Sequence, residues 1–167
     1  MQISKEKINS LFRRMCDDNE AFTAFYEAME RPMFAVAYRI LQSREEAEDV
    51  VHDSFLKLYK KETTERVSQG YSYALSTVRN EALQRLRKSK REFPCGEVRA
   101  ATLLNPVKSV IEDALRELTQ EERVIVTLRV NAELGYREIG KVVGLSAATV
   151  FRRYMKAISK IRKELET

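Results

Sequence analysis

Residues 136–154 read YREIGKVVGLSAATVFRRY. The spacing predicts a short helix from about Tyr136 to Val143, a turn at Gly144-Leu145, a cap at Ser146, and a last helix running nearly to the end of the chain. This is helix-turn-helix spacing. Gly140 allows the two helices to cross closely, and Gly144 stands where the turn needs φ > 0. Val150, Tyr154, Ala157 and Ile161 make the inward stripe of the second helix. Ala147, Ala148, Phe151, Arg152 and Lys156 therefore point away, as side chains offered to a DNA major groove do. A guanidinium can grip guanine bidentately, so Arg152 is the candidate reader of a base edge. Arg153 and Lys156 are candidates for phosphates, which position a domain without reading sequence. A solvated basic hairpin is the plainer reading of the same face.

Working upstream, Asn105-Pro106 opens this unit as an N-cap followed by proline at the first helical position. Val107, Ile111, Ala114 and Leu118 carry that helix inward. Thr119 with Glu122 forms a capping box, and Val124, Ile125 and Leu128 follow. Residues 92–105 hold Phe93-Pro94 and Cys95-Gly96 without a sustained period, and read as a linker. Before the linker, Ile8, Leu11, Phe12 and Met15 give a first helix, then Phe22, Phe25 and Met29 a second stripe. Pro32 is expected to interrupt it before Phe34, Ala37, Tyr38 and Leu41 resume the period. Ser43 with Glu46 is a second capping box, leading Ala47, Val50, Val51, Ser54, Phe55 and Leu58 along one face. Gly70 breaks the chain before a long helix whose buried side is Tyr71, Ala74, Val78, Ala82 and Leu86. The expectation is an all-α fold of two small helical domains, 1–91 and 106–167, joined by 92–105.

Only 5 Gly and 3 Pro among 167 residues argue against a turn-rich β architecture. The net charge of +5 is unevenly spread. Residues 1–61 carry 10 Lys+Arg against 11 Asp+Glu, 62–91 carry 7 against 3, and 92–167 carry 13 against 11. One central segment thus holds most of the excess, as a phosphate-handling surface would. Cys16, Cys95 and the single His52 fit no metal-ligand spacing, so neither metal nor cofactor is expected. No glycine-rich phosphate loop, nucleophile triad or paired-carboxylate site appears, so no enzyme is expected. Lys5, Glu6 and Lys7 occupy the place of an apolar signal core, and the run Met33 to Tyr38 is too short to span a bilayer. A cytoplasmic protein is the expectation.

Two further patterns carry chemistry. Tyr71 and Tyr73 precede Arg79, Asn80 and the acid-free run Arg85, Arg87, Lys88, Lys90, Arg91 on one rod. Aromatic faces can stack on unpaired bases while cations follow the backbone, and Asn80 could read an extruded base. Tyr71, on the buried stripe, is read as a core residue. Glu45, Glu48, Asp49 and Asp53 lie on or beside the polar face of the capped helix. An acidic face is a poor partner for DNA; if functional, it meets protein.

In this order the three patterns resemble the extracytoplasmic-function group of sigma factors. FTAFYEAMERPMFAVAYRILQSREEAEDVVHDSFLKLYKK resembles the group's polymerase-binding region. YSYALSTVRNEALQRLRKSKR resembles the helix that melts and holds the minus-ten element. The stretch from Leu115 to Leu165 resembles the domain that binds the minus-thirty-five element. The resemblance implies a sigma factor that directs RNA polymerase to promoters, partnered by core polymerase, promoter DNA and an anti-sigma protein. Glu48, Asp49, Val50, Asp53, Phe55 and Leu56 would dock on the β′ coiled coil, with the β subunit as a further contact. Tyr73, Arg79, Asn80, Arg85, Arg87, Lys88 and Arg91 would meet the minus-ten element. Ser146, Ala147, Thr149, Phe151, Arg152, Arg153 and Lys156 would meet the minus-thirty-five element. The chain departs from the pattern at Tyr73, where tryptophan is usual, and at Phe151, where lysine is. Gly135 replaces a capping serine and Gly140 an alanine, which should weaken the helix-turn-helix. Two rivals remain: a helix-turn-helix regulator that never joins polymerase, and a polymerase- or sigma-binding modulator with a degenerate DNA surface.

Overall fold

The computed structural model describes residues 3–92 and 106–167, and among them the regular structure is all helical. The chain divides into two compact units, Met1–Phe93 and Pro94–Thr167. Of the expected linker and the Asn105 cap, all but Glu92 lies outside the described residues, and Glu92 is the last residue of a helix.

The N-terminal unit is built of α1 (Lys5–Arg14), α2 (Asn19–Leu41), α3 (Arg44–Leu58), α4 (Lys61–Arg66) and α5 (Gly70–Glu92). Side chains of Ser4, Asp18 and Ser43 cap the first three by accepting amide hydrogen bonds from the first turn. At Ser43 the bond comes from the Glu46 amide, the forward half of the expected box. α2, α3 and α5 pack mutually, and α1 lies against α2 and α5. Phe12, Phe25, Met29, Met33, Val36, Leu58 and Leu75 are fully or almost fully buried between them. Asn9 fastens the start of α5, accepting from the Tyr71 amide at 2.9 Å and donating to Gln69 at 3.1 Å. Beside it Gly70 lies so close to Phe12 that an added Cβ would sit 2.3 Å from the ring.

Two expectations here are corrected. α2 runs unbroken through Pro32. A proline forfeits one backbone bond, to the carbonyl four residues back. The seven buried residues of α2, on both sides of Pro32, outweigh that loss. Without a break the inward stripe after Pro32 is Met33, Val36, Ala37 and Ile40. Phe34 and Tyr38 move to the flank, where their rings stack at 5.8 Å, and Leu41 is half-buried. Leu86 is likewise half-buried; the buried side of α5 ends at Ala82 and includes Leu75 near the helix start.

The C-terminal unit comprises α6 (Pro106–Arg116), α7 (Gln120–Val130), α8 (Tyr136–Val143) and α9 (Ala147–Leu165), with α9 packed on the other three. The expected inward position Ile111 is 51% exposed and the Val107 side chain lies outside the described residues; Ala114 and Leu115 form the buried side of α6, and Leu118 is buried just past its end. The Thr119–Glu122 capping box is complete. At α8 only the reciprocal half exists, because Gly135 has no side chain to offer: Glu138 accepts from its amide at 2.8 Å. Gly144 adopts φ 75°, and an added Cβ at Gly140 would lie 2.4 Å from the Leu145 carbonyl oxygen. The close approach of Gly140 is therefore to the turn, and the glycine that lowers helix propensity is the one that lets the turn fold tightly.

Glu122 is buried, and its carboxylate accepts from the Thr119 amide and from Lys160 at 3.1 and 2.8 Å. Burial alone would raise its pKa; the bonds from Lys160 and Thr119, with the charges of Lys160 and Lys156, outweigh burial and hold it below the usual value. A carboxyl lowered on folding contributes stability that is full above its unfolded value and is lost as pH falls through the folded one. The C-terminal unit is therefore expected to lose stability as pH falls below the ordinary 4.5. Glu122→Gln should remove that component and weaken the unit by about 1–2 kcal/mol at neutral pH. Urea unfolding of both proteins across this pH range checks it; equal acid slopes would refute the assignment.

Candidate nucleic-acid interface

α9 is capped by Ser146, whose Oγ accepts from the Thr149 amide at 3.2 Å and donates to Thr149 Oγ1 at 2.8 Å. Arg152 reaches back to the same Thr149 Oγ1 at 3.3 Å. One arm of its guanidinium is thus anchored on the exposed face while the fork keeps further donors. Ala147, Ala148, Phe151, Arg152 and Lys156 are all exposed, and Val150 and Ala157 are buried on the opposite side. Arg153 differs. It is half-buried and ion-paired with Glu121 of α7, so its charge is already engaged within the unit. An exposed face with a cap, an anchored arginine and a lysine one turn on has the chemistry to sit in a duplex groove.

On α5, Tyr73, Thr77, Asn80, Gln84, Arg87 and Arg91 recur at helical spacing, opposite the buried Tyr71, Ala74, Leu75, Val78 and Ala82. Asn80, Gln84, Arg87, Lys88 and Arg91 are exposed. Arg79 lies beside this stripe and donates to Asn80 Oδ1 at 3.4 Å. Tyr73 is half-buried, its ring edge-on to Phe12 at 6.3 Å, so only part of its face is open for stacking.

Arg85 was placed with the DNA-facing cations, but it turns toward α3. It donates to Asp53 at 3.1 Å and lies 3.5 Å from Asp49. The reason is positional: Arg85 falls beside the buried stripe of α5, where α3 packs, and Asp49 and Asp53 are one turn apart on α3. Lys57 of α3 and Glu81 of α5 form a second ion pair between the same helices.

The docking residues expected on α3 also divide. Glu48, Asp49 and Leu56 are exposed, Leu56 at 62%, and Glu48 is paired with Arg44 on the same helix. Val50 and Phe55 are buried in the core, so they hold α3 in place and cannot touch a partner. Phe55 packs on Tyr26 with ring centroids 4.5 Å apart. Sequence reading missed His52, exposed between Asp49 and Leu56 on the outer face. Its position three residues after Asp49 and four before Leu56 was the available signal. Among the described residues no cluster of His, Cys, Asp and Glu could hold a metal ion, and no helix is long and apolar enough to cross a membrane.

The family model described as Sigma-70 region 2 matches residues 25–92, and that described as Sigma-70, region 4 matches residues 108–161. The chain is 22% identical to the ECF RNA polymerase sigma factor SigW of Bacillus subtilis (strain 168), covering 89% of this chain and 90% of that one. It is 23% identical to the RNA polymerase sigma-H factor of Pseudomonas aeruginosa, covering 89% and 88%. Among solved structures, the sigma factor RpoE of Bartonella quintana, in complex with the anti-sigma factor NepR, superposes with a TM-score of 0.72 at 20% identity. That match covers 87% of this chain and 97% of the other, and carries the fold.

The cross-helix pairing sets a measurable expectation. A double-mutant cycle with Arg85→Gln and Asp53→Asn should return a coupling of about 0.2–1 kcal/mol at low salt, as for other half-exposed pairs. The coupling should shrink in molar salt. Additive single effects at low salt would mean that Asp53 does not hold Arg85.

Proposed function

Because the chain belongs to the extracytoplasmic-function group of the sigma-70 family, we infer that it serves as a sigma factor, joining core RNA polymerase and carrying it to promoters. Residues 1–91 form the part that meets core enzyme and the minus-ten element, and residues 106–167 the part that meets the minus-thirty-five element. The observation that carries this reading is the pairing, in one N-terminal unit, of an outward acidic and apolar face on α3 with an outward Asn80-Arg87-Arg91 stripe on α5. A duplex-binding regulator needs only the C-terminal unit.

On α3, Glu48, Asp49, Asp53 and Leu56, together with His52, make the polymerase-facing set, with Val50 and Phe55 beneath them as support. A basic or amphipathic helix pair on the polymerase would meet these carboxylates, and Leu56 would supply the desolvated contact. On α5, Asn80 and the open part of Tyr73 would hold unpaired bases, Arg79 would orient Asn80, and Arg87, Lys88 and Arg91 would follow the backbone. Arg85 serves the α3–α5 joint. On α9, Arg152 would read a base edge, Lys156 would contact phosphate, and Ser146 and Thr149 would fix the start of the helix.

Initiation then needs no bond chemistry from this subunit. Duplex binding by the C-terminal unit brings the N-terminal unit over a deformable promoter segment, and bases that leave the stack are captured on α5. The place of action is the cytoplasm, beside polymerase, and an anti-sigma protein is the partner that would hold the chain inactive. The modulator reading is favoured by one observation, the packing of Tyr73 against Phe12, which takes part of that ring out of reach of a base.

Pull-down with core polymerase followed by run-off transcription from a genomic promoter library tests these readings. Core binding with specific initiation supports the sigma factor; core binding without initiation supports the modulator; duplex binding without core binding supports the regulator. Charge reversal at Asp49 and Asp53 is expected to reduce core association at least tenfold and to leave isolated DNA binding intact, a loss of about 1.4 kcal/mol or more. Unchanged core affinity would discard the docking face. Arg152→Ala should relax promoter choice at one position by about 1–3 kcal/mol, whereas Lys156→Ala should weaken binding evenly across sequences. Equal loss on every sequence for Arg152→Ala would remove its reading role.

A further inference from the structure

Beside Arg152 the outward face of α9 is apolar. Phe151 is 47% exposed and Met155, one turn on, 48% exposed; Ala147, one turn before Phe151, is exposed as well. Large apolar side chains in such a row are uncommon on a solvated helix and mark a surface that becomes covered. The Phe151 ring is held rather than loose. It stands edge-to-face on Tyr136 of α8 at 5.2 Å, and the Arg129 guanidinium lies 4.7 Å from the centre of the Tyr136 ring.

The charges around the row say what covers it. From Ala147 to Lys163, α9 carries no acid, and Arg152 and Lys156 flank the apolar side chains on the exposed face. The acids nearest on α7 are engaged elsewhere, Glu121 by Arg153 and Glu122 by Lys160. A partner must therefore be anionic and yet offer isolated apolar points between its charges. The thymine C5-methyl is the one apolar group that a base pair presents in the major groove.

We propose that Phe151, with Met155 beside it, reads thymine methyl groups in the minus-thirty-five duplex and so sets specificity at positions that Arg152 does not reach. This rests on the promoter-binding reading above and adds a second kind of readout to the same helix. Arg152 would select by hydrogen bonds and Phe151 by apolar contact, so the preferred element would carry thymine next to the arginine-read base.

The test uses the full chain bound to core polymerase. Promoter fragments are selected from a genomic library, and each thymine of the upstream duplex element is replaced in turn by deoxyuridine, which removes the methyl and leaves every hydrogen bond. The unchanged protein should bind at least one uracil-substituted duplex about fourfold more weakly. Phe151→Ala should bind the thymine and uracil forms alike, and Phe151→Leu should keep most of the difference. Because each ratio is taken within one protein, any loss of folding in a variant cancels. Equal binding of thymine and uracil forms by the unchanged protein would overturn the proposal while leaving promoter recognition standing. Retention of the full difference by Phe151→Ala would overturn it too, and assign the row to contact with a protein. Failure to select any fragment would sink promoter recognition and this reading with it.

Discussion

Both outward faces of the N-terminal unit depend on burial of the opposite sides of the same two helices. α3 could not hold Glu48, Asp49, His52 and Leu56 in a row without Ala47, Val50, Val51, Phe55 and Leu58 locked into the core behind them. α5 is fixed in the same way by Tyr71, Ala74, Leu75, Val78 and Ala82. α2 supplies the common wall, because it packs on α1, α3 and α5 alike. Neither polar face would keep a shape if this wall moved, since the surface ion pairs on it contribute little by themselves.

The charges divide into those that join helices and those that are left outward. Arg85, Lys57 and Glu81 link α3 to α5, and Arg153 and Lys160 tie α9 to α7 through Glu121 and Glu122. Arg87, Lys88 and Arg91 on one unit and Arg152 and Lys156 on the other remain exposed. A count of basic residues overstates the positive surface available to DNA, because some of the cations serve as internal struts. The exposed set is smaller and better aligned, with Arg87 and Arg91 continuing the stripe whose first exposed member is Asn80.

Local signals were legible in the sequence, and relations between distant residues were not. The caps at Ser43, Thr119 and Ser146 are written within four residues each, and so is the Gly144 turn; the outward set on α9 follows from the period of a single helix. Pro32 misled because its local effect is real but smaller than the burial on either side of it. Val50 and Phe55 belong to a stretch that resembles a docking region, yet a resemblance marks a segment and does not separate its contacting residues from the ones beneath. Arg85 and Arg153 are paired with residues 32 positions away, and no period within one helix reveals such a partner. The exposure of Ile111 belongs to the same class, since no period within α6 says which of its turns a distant helix covers.

The fastening of α1 onto the start of α5 bears on where the N-terminal unit begins as a physical object. The Sigma-70 region 2 match starts at residue 25, yet Phe12 is fully buried against Gly70 and Phe25, and Asn9 satisfies the first backbone donor after Gly70. A fragment trimmed to the match would leave a hole the size of a phenylalanine under α5 and strip the bond that seats its first turn. The family model marks this unit from residue 25 on, while its packed core reaches back to include α1.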